Sequence, residues 1–87
     1  MTPYHLSIVT PQGKFLEEDV ECVVAPGVEG TFGILANHTP FVSLLKPGPL
    51  QIKRGGSEQN LTITQGILEV SPEHKVLILL DAHPQTS

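Results

Sequence analysis

The chain has 87 residues, 39% of them hydrophobic but only 5% aromatic, with no Trp and a formal net charge of −4. That length is one domain, whose core has to come from Val, Ile and Leu. Five scattered Lys and Arg, with Lys53-Arg54 the one adjacent pair, disfavour nucleic-acid binding by charge, and a single Cys rules out an internal disulfide.

In chain order the sequence reads as short strands separated by turn residues. Residues 4–9 alternate, with Tyr4, Leu6 and Ile8 on one face, and Thr10-Pro11-Gln12-Gly13 is a turn. The acidic run Glu17-Glu18-Asp19, extended by Glu21, reads as a solvated strand edge or turn. Residues 20–24 are β-branched and apolar, and Cys22 within them is expected as a buried core thiol. Pro26-Gly27 ends that strand. Residues 31–35 and 41–45 follow as short apolar runs, and Pro47-Gly48-Pro49 is a break, because neither Pro can donate to a ladder.

Residues 50–53 and 61–64 alternate around Gly55-Gly56, a hairpin signal whose loop is expected to extend through Asn60. Gly66 leads residues 67–70, Ser71-Pro72-Glu73-His74 turns, and residues 76–80 form the last strand. Turn signals recur about every 8–12 residues, the spacing of an all-β sandwich or barrel. Residues 1–82 are expected to form the sandwich and residues 83–87 a polar tail that frays.

The opening MTPYHLSIVTPQG has no basic stretch leading into an apolar one, so no secretory signal is expected. The longest apolar run, residues 76–80, is far short of the roughly 20 residues of a membrane-spanning helix. A reducing, cytoplasmic setting fits the lone Cys22.

Four glycines and three prolines crowd residues 25–48, around a lone His38. Such density specifies a particular path of turns rather than a linker. If Gly33 requires φ > 0, an Ala there costs about 1 kcal/mol. The segment offers no catalytic constellation. The histidines at 5, 38, 74 and 83 have no metal-ligand spacing to each other or to Cys22. No phosphate loop of either common type occurs, and no nucleophile–base pair is nominated. No cofactor, metal or catalytic residue is therefore expected, and the residues by themselves point to a small all-β interaction module.

The motif Gly30-x-x-Gly33-Ile34-Leu35-x-Asn37-His38-x-Pro40, with Lys46-Pro47-Gly48 behind it, resembles the epsilon subunit of bacterial F-type ATP synthase. Tyr4-His5-Leu6-x-Ile8-Val9-Thr10-Pro11 resembles that family's first strand. Gln65-Gly66-Ile67-Leu68-Glu69-Val70 resembles its glycine-led strand, and Val76-Leu77-Ile78-Leu79 its last. The resemblance runs over residues 1 to about 82. It implies a flattened β-sandwich of about ten short, mostly antiparallel strands. It also implies a non-catalytic rotor role in the central stalk, with the gamma subunit and the ring of c subunits as partners. Proton-driven rotation would pass through such a part to the catalytic head. Membrane contact would come only through the complex, on the cytoplasmic side of the bacterial inner membrane.

By the same resemblance, Glu29, Gly30, Thr31 and Phe32 would lie in a loop facing the c-ring, and His38, Phe41 and Val42 would lie towards gamma. Most members continue into a two-helix domain that regulates ATP hydrolysis and in some binds ATP. This sequence stops at Ser87, and no Arg follows Leu80-Asp81-Ala82, which resembles the start of the nucleotide-binding signature. Neither property is carried over. The competing reading is a free-standing sandwich that binds a small ligand or peptide in the loop at 30–40. It requires an enclosed pocket, whereas the rotor reading requires a contiguous exposed apolar patch. Whether Phe32 and Phe41 are buried or bare should separate the two.

Overall fold

A computed structural model describes residues 2–86; Met1 and Ser87, the outermost residues of the predicted sandwich and tail, lie outside them. The described residues form ten strands and no helix. They are β1 (Tyr4–Thr10), β2 (Gly13–Val20), β3 (Cys22–Gly27), β4 (Gly30–Ile34), β5 (Phe41–Leu45), β6 (Gly48–Arg54), β7 (Ser57–Ile63), β8 (Gly66–Val70), β9 (Val76–Leu80) and β10 (Gln85–Thr86). Hydrogen bonding runs in the order β10-β7-β6-β3-β5-β8-β9-β1-β2, with β4 on β3. All pairs are antiparallel except β1 with β9. Among the described residues no helix is long and apolar enough to cross a membrane.

The path is continuous but folds over at one point. β3 and β5 share a single register pair, Gly27 with Leu45, flanked by the Val28 amide on the Leu44 carbonyl and the Lys46 amide on the Pro26 carbonyl. On one side of that fold lie β10, β7, β6, β3 and β4; on the other lie β5, β8, β9, β1 and β2. Their inner faces meet in one core. Val23, Ala25, Ile34, Leu50, Ile52, Leu61 and Ile63 come from the first layer, and Leu6, Ile8, Leu45, Leu68, Val76 and Ile78 from the second. Each buried Leu, Ile or Val contributes about 1.5–3 kcal/mol of transfer free energy, which is how a core nearly without aromatics holds. Period-two burial in β1 follows the predicted face of Tyr4, Leu6 and Ile8.

The sandwich expected from the strand spacing is what the chain forms. Several boundaries differ. The acidic run Glu17-Glu18-Asp19 lies on an edge strand, β2, that the strand pattern of the sequence lacked, and the apolar run at 20–24 falls mainly in β3, with Val20 closing β2. Charge on an edge blunts it against pairing with other chains. The Gly55-Gly56 loop does not reach Asn60. Arg54 pairs with Ser57, so only the two glycines turn, at φ 46° and 85°, and two positive φ values in succession are what a tight hairpin matched to strand twist requires. Cys22 is half-buried rather than in the core, because in β3 the inward positions go to Val23 and Ala25.

The segment expected to fray also differs. Asp81 accepts a hydrogen bond from the Thr64 hydroxyl and its amide donates to the Gln65 carbonyl. Pro84 is buried, and β10 pairs with β7 at Thr62 and Leu61. On the way, His83 Nδ1 lies 2.9 Å from the Thr10 hydroxyl, and its ring stands edge-on to Phe15 at 5.1 Å. Phe15 is the extra residue of the bulge between Ile8 and Val9, and packs against the core. The final residues thus bridge β1 and β2, at one end of the hydrogen-bonded path, to β7 near the other.

Candidate docking surface

The crowded segment at 25–48 folds into the β3–β4 hairpin, the turn at 35–40 and β5. Gly27 faces Gly30 across the hairpin, with Val28 and Glu29 at its tip. A Cβ at Gly27 would sit 2.7 Å from both the Gly30 carbonyl oxygen and the Phe32 ring. The missing side chain is therefore what lets Phe32 lie flat against the hairpin. Gly33 behaves differently. It has no positive φ, and an added Cβ meets only ordinary contacts at 3.9 Å, so the strained conformation considered for it is absent.

Phe32 meets Phe41 edge to face with centroids 5.6 Å apart, and the His38 ring lies tilted 4.9 Å from Phe41. Such ring pairs add about 0.5–1.5 kcal/mol beyond their buried area. Asn37 holds φ 64°, a left-handed conformation that Asn tolerates, and the His38 ring Nδ1 reaches the Thr39 carbonyl at 2.8 Å. Phe32, His38 and Phe41 are half-buried, neither enclosed nor bare, so burial of the two Phe rings does not by itself separate the readings. Glu29, Gly30, Thr31 and Val42 are exposed.

The structure brings the two predicted sets together. Residues 27–32 and 41–44 line one open groove of about 570 Å3, and His38 joins it through Phe41. A second groove of about 450 Å3 shares Val28 and Leu44 with the first and continues over Ile67 and Leu79. Neither is an enclosed pocket. Cross-strand register explains the continuity. Leu44 pairs with Ile67 and Ile67 with Leu79, on β5, β8 and β9, and all three point outward. They are 56%, 41% and 45% exposed, with Val42 at 65% and Val28 at 51% beside them. This is the contiguous exposed apolar patch that the rotor reading requires.

Val28, Leu44, Ile67 and Leu79 were not among the expected site residues. One signal for them was present in the sequence. A strand that reads VLILL is apolar on both faces, which means that both faces get covered. A third cleft of about 530 Å3 lies on the other layer, around Cys22, Leu35, Lys53 and Arg54, and holds none of the expected residues.

Titratable groups are sparse around the patch. The charged cluster lies further along the same outer face, where His5 Nε2 is 2.9 Å from Glu17 and its Nδ1 3.5 Å from Asp19. Lys14 also reaches Glu17 and, together with His5, holds its carboxyl below the usual range. The hydroxyl of Thr64 does the same for Asp81. Among the described residues no three His, Cys, Asp or Glu side chains converge as metal ligands do.

Known proteins agree with this geometry. In the Euglena gracilis mitochondrial ATP synthase OSCP/F1/c-ring structure, one chain superposes with TM-score 0.91 at 25% identity, covering 99% of this chain and 54% of that one. A chain of the Tetrahymena thermophila mitochondrial ATP synthase central stalk/c-ring structure shares the fold, with TM-score 0.80 at 20% identity over 92% of this chain and 64% of that one. An ATP synthase epsilon chain of Nitratidesulfovibrio vulgaris is 47% identical over 78 residues, 90% of this chain and 58% of the relative. One from Rhodopseudomonas palustris (strain BisA53) is 40% identical over 81 residues, 93% of this chain and 59% of the relative. The chain thus spans about three-fifths of the length of these relatives. Residues 3–84 match the family described as ATP synthase, Delta/Epsilon chain, beta-sandwich domain, and the chain belongs to that family.

Proposed function

We propose that the chain is a non-catalytic rotor part of the central stalk in a proton-translocating F-type ATP synthase. In this reading it binds the gamma subunit and the c-ring and couples proton-driven rotation to ATP synthesis. It works on the cytoplasmic side of the bacterial inner membrane, held there by the complex. The observation that carries the reading is the exposed apolar row Leu44–Ile67–Leu79, with Val28 and Val42 beside it. Left in water, such a row costs free energy that a partner recovers by covering it.

The two partners divide one corner of the molecule. Glu29 at the hairpin tip and Gly30, Thr31 and Phe32 behind it meet the c-ring, while Phe41, Val42 and His38 lead into the row that gamma covers. A two-layer sandwich suits transmission of torque, because a close-packed interior yields little under load. The open grooves argue against the competing reading of an enclosed ligand pocket. Co-purification tests the proposal: the chain and gamma are expected to form a stable complex at micromolar concentration, as a standard interface of roughly 1,600 Å2 does. No complex at that concentration sinks it.

A further inference from the structure

We propose that Tyr4 is a positioning residue for the docking surface: it pins the exit of β4 and so sets the turn that carries His38 to Phe41. This deepens the proposed function and rests on it for the identity of the partner.

Tyr4 belongs to β1, in the second layer, and is 7% exposed. Its hydroxyl donates to the carbonyl of Ile34, the last residue of β4, at 2.8 Å and 30 residues away in sequence. β1 and β4 are not register partners, so the bond ties the two layers together where the ladder of β4 ends. From there the chain has no strand partner until Phe41. Between them Ala36 packs on the core, Asn37 turns through φ 64°, and His38 reaches back to the Thr39 carbonyl and the Phe41 ring. The turn is therefore held at its exit by aromatic contacts and at its entry by the Tyr4 hydroxyl together with the last rung of the β3–β4 ladder. Burial pushes the Tyr4 phenol above its ordinary range, which keeps it a neutral donor at physiological pH. A Phe at this position fills the same core volume and removes the hydroxyl's bond to the Ile34 carbonyl. Tyr4 lines neither groove, so it acts through the turn.

The test is Tyr4→Phe, with Ile8→Val as a core lesion on the same strand. Hydrogen exchange of the amides at 35–39 is expected to speed up about tenfold in Tyr4→Phe, the equivalent of one lost hydrogen bond, while Leu6, Ile52 and Leu68 keep their rates. Affinity for gamma is expected to fall about tenfold as well. Ile8→Val should raise exchange evenly and leave affinity within about twofold. Uniform or unchanged exchange in Tyr4→Phe overturns the pin. So does equal loss of affinity in the two variants, or full affinity in Tyr4→Phe. If the unaltered chain does not bind gamma, the proposed function fails, and exchange alone still decides whether Tyr4 sets the turn.

Discussion

The two layers share one core and differ on their outer faces. Across β3, β6 and β7 the outward rows are Val24–Gln51–Asn60 and Cys22–Lys53–Glu58, polar in four of six positions. Across β5, β8 and β9 the corresponding rows are Leu44–Ile67–Leu79 and Val42–Glu69–Leu77, apolar in five of six. Antiparallel sheets commonly keep one face wet, and the first layer does so. The second layer has apolar side chains on both faces. Its inner side chains make the fold, and its outer ones add nothing to the isolated chain's core. Stability and the proposed docking are therefore written on opposite faces of the same three strands, and substitutions can separate them.

The largest effect should come at Gly66, which joins the two roles. A Cβ there would lie 2.2 Å from the Leu79 carbonyl oxygen and 2.9 Å from the Leu80 side chain, so β8 has to move off β9. Gly66→Ala is expected to cost about 2–4 kcal/mol, read as a lower denaturant midpoint, and to lose binding with it. Gly33→Ala, in the Gly30–Pro40 motif, is the contrast. With only ordinary contacts at 3.9 Å and no positive φ at that position, its stability is expected within about 0.5 kcal/mol of the parent. A large loss at Gly33 would show that the backbone there is strained after all.

Next in size is a pair of outward changes. Ile67→Lys places a charge at the centre of the apolar row and is expected to weaken gamma binding about a hundredfold, with stability altered by less than about 0.5 kcal/mol. Gln51→Lys, outward on the other layer, should change neither. Titration of gamma binding by calorimetry reads both. Equal loss from the two variants would mean that the apolar row does not mark the interface.

These cases also show how far the sequence could be read. Period-two alternation located β1, β6 and the later part of β7, and turn residues placed most breaks, because those signals are local. The path of β2 was hidden. Its residues 14–19 carry four charges and no clean alternation, and it becomes a strand because β1 offers a ladder from Tyr4 to Thr10. Pairing of β10 was hidden for the same reason: His83, Pro84 and Gln85 look like tail until Thr10, Phe15 and β7 supply their partners. At the candidate site, Glu29 to Phe32, Phe41 and Val42 share a groove that no spacing in the chain displays. The row Leu44–Ile67–Leu79 needs the register of three strands, so only its last member had a local hint. Gly66 and Gly33 look alike in the sequence, and only the distance to the neighbouring strand tells them apart.

The smallest expected effect concerns the charged end of the second layer's outer face, beyond the apolar row. Glu17 is hydrogen-bonded first by Lys14 and then by His5, and its carboxyl lies below the ordinary value of 4.5. A depressed carboxylate adds stability that is fully present above its unfolded value and is lost as pH falls through its folded one. Asp81, held below 3.8 chiefly by the Thr64 hydroxyl, follows the same sign. The melting temperature should therefore change little on their account between pH 6 and 8 and should decline below about pH 4.5. Glu17→Gln is expected to lower the midpoint at pH 7 slightly and to make the acid decline shallower by the same small amount. Both effects should shrink in high salt, because Glu17 is solvent-exposed. The side chains of the proposed docking row do not titrate, and the carboxylates lining the grooves beside it are Glu29 and Asp81, so affinity for gamma should not follow the Glu17 part of the acid decline until the fold itself is lost. An affinity that tracks Glu17 would instead place the charged cluster inside the interface and extend the docking surface across the whole outer face of the second layer.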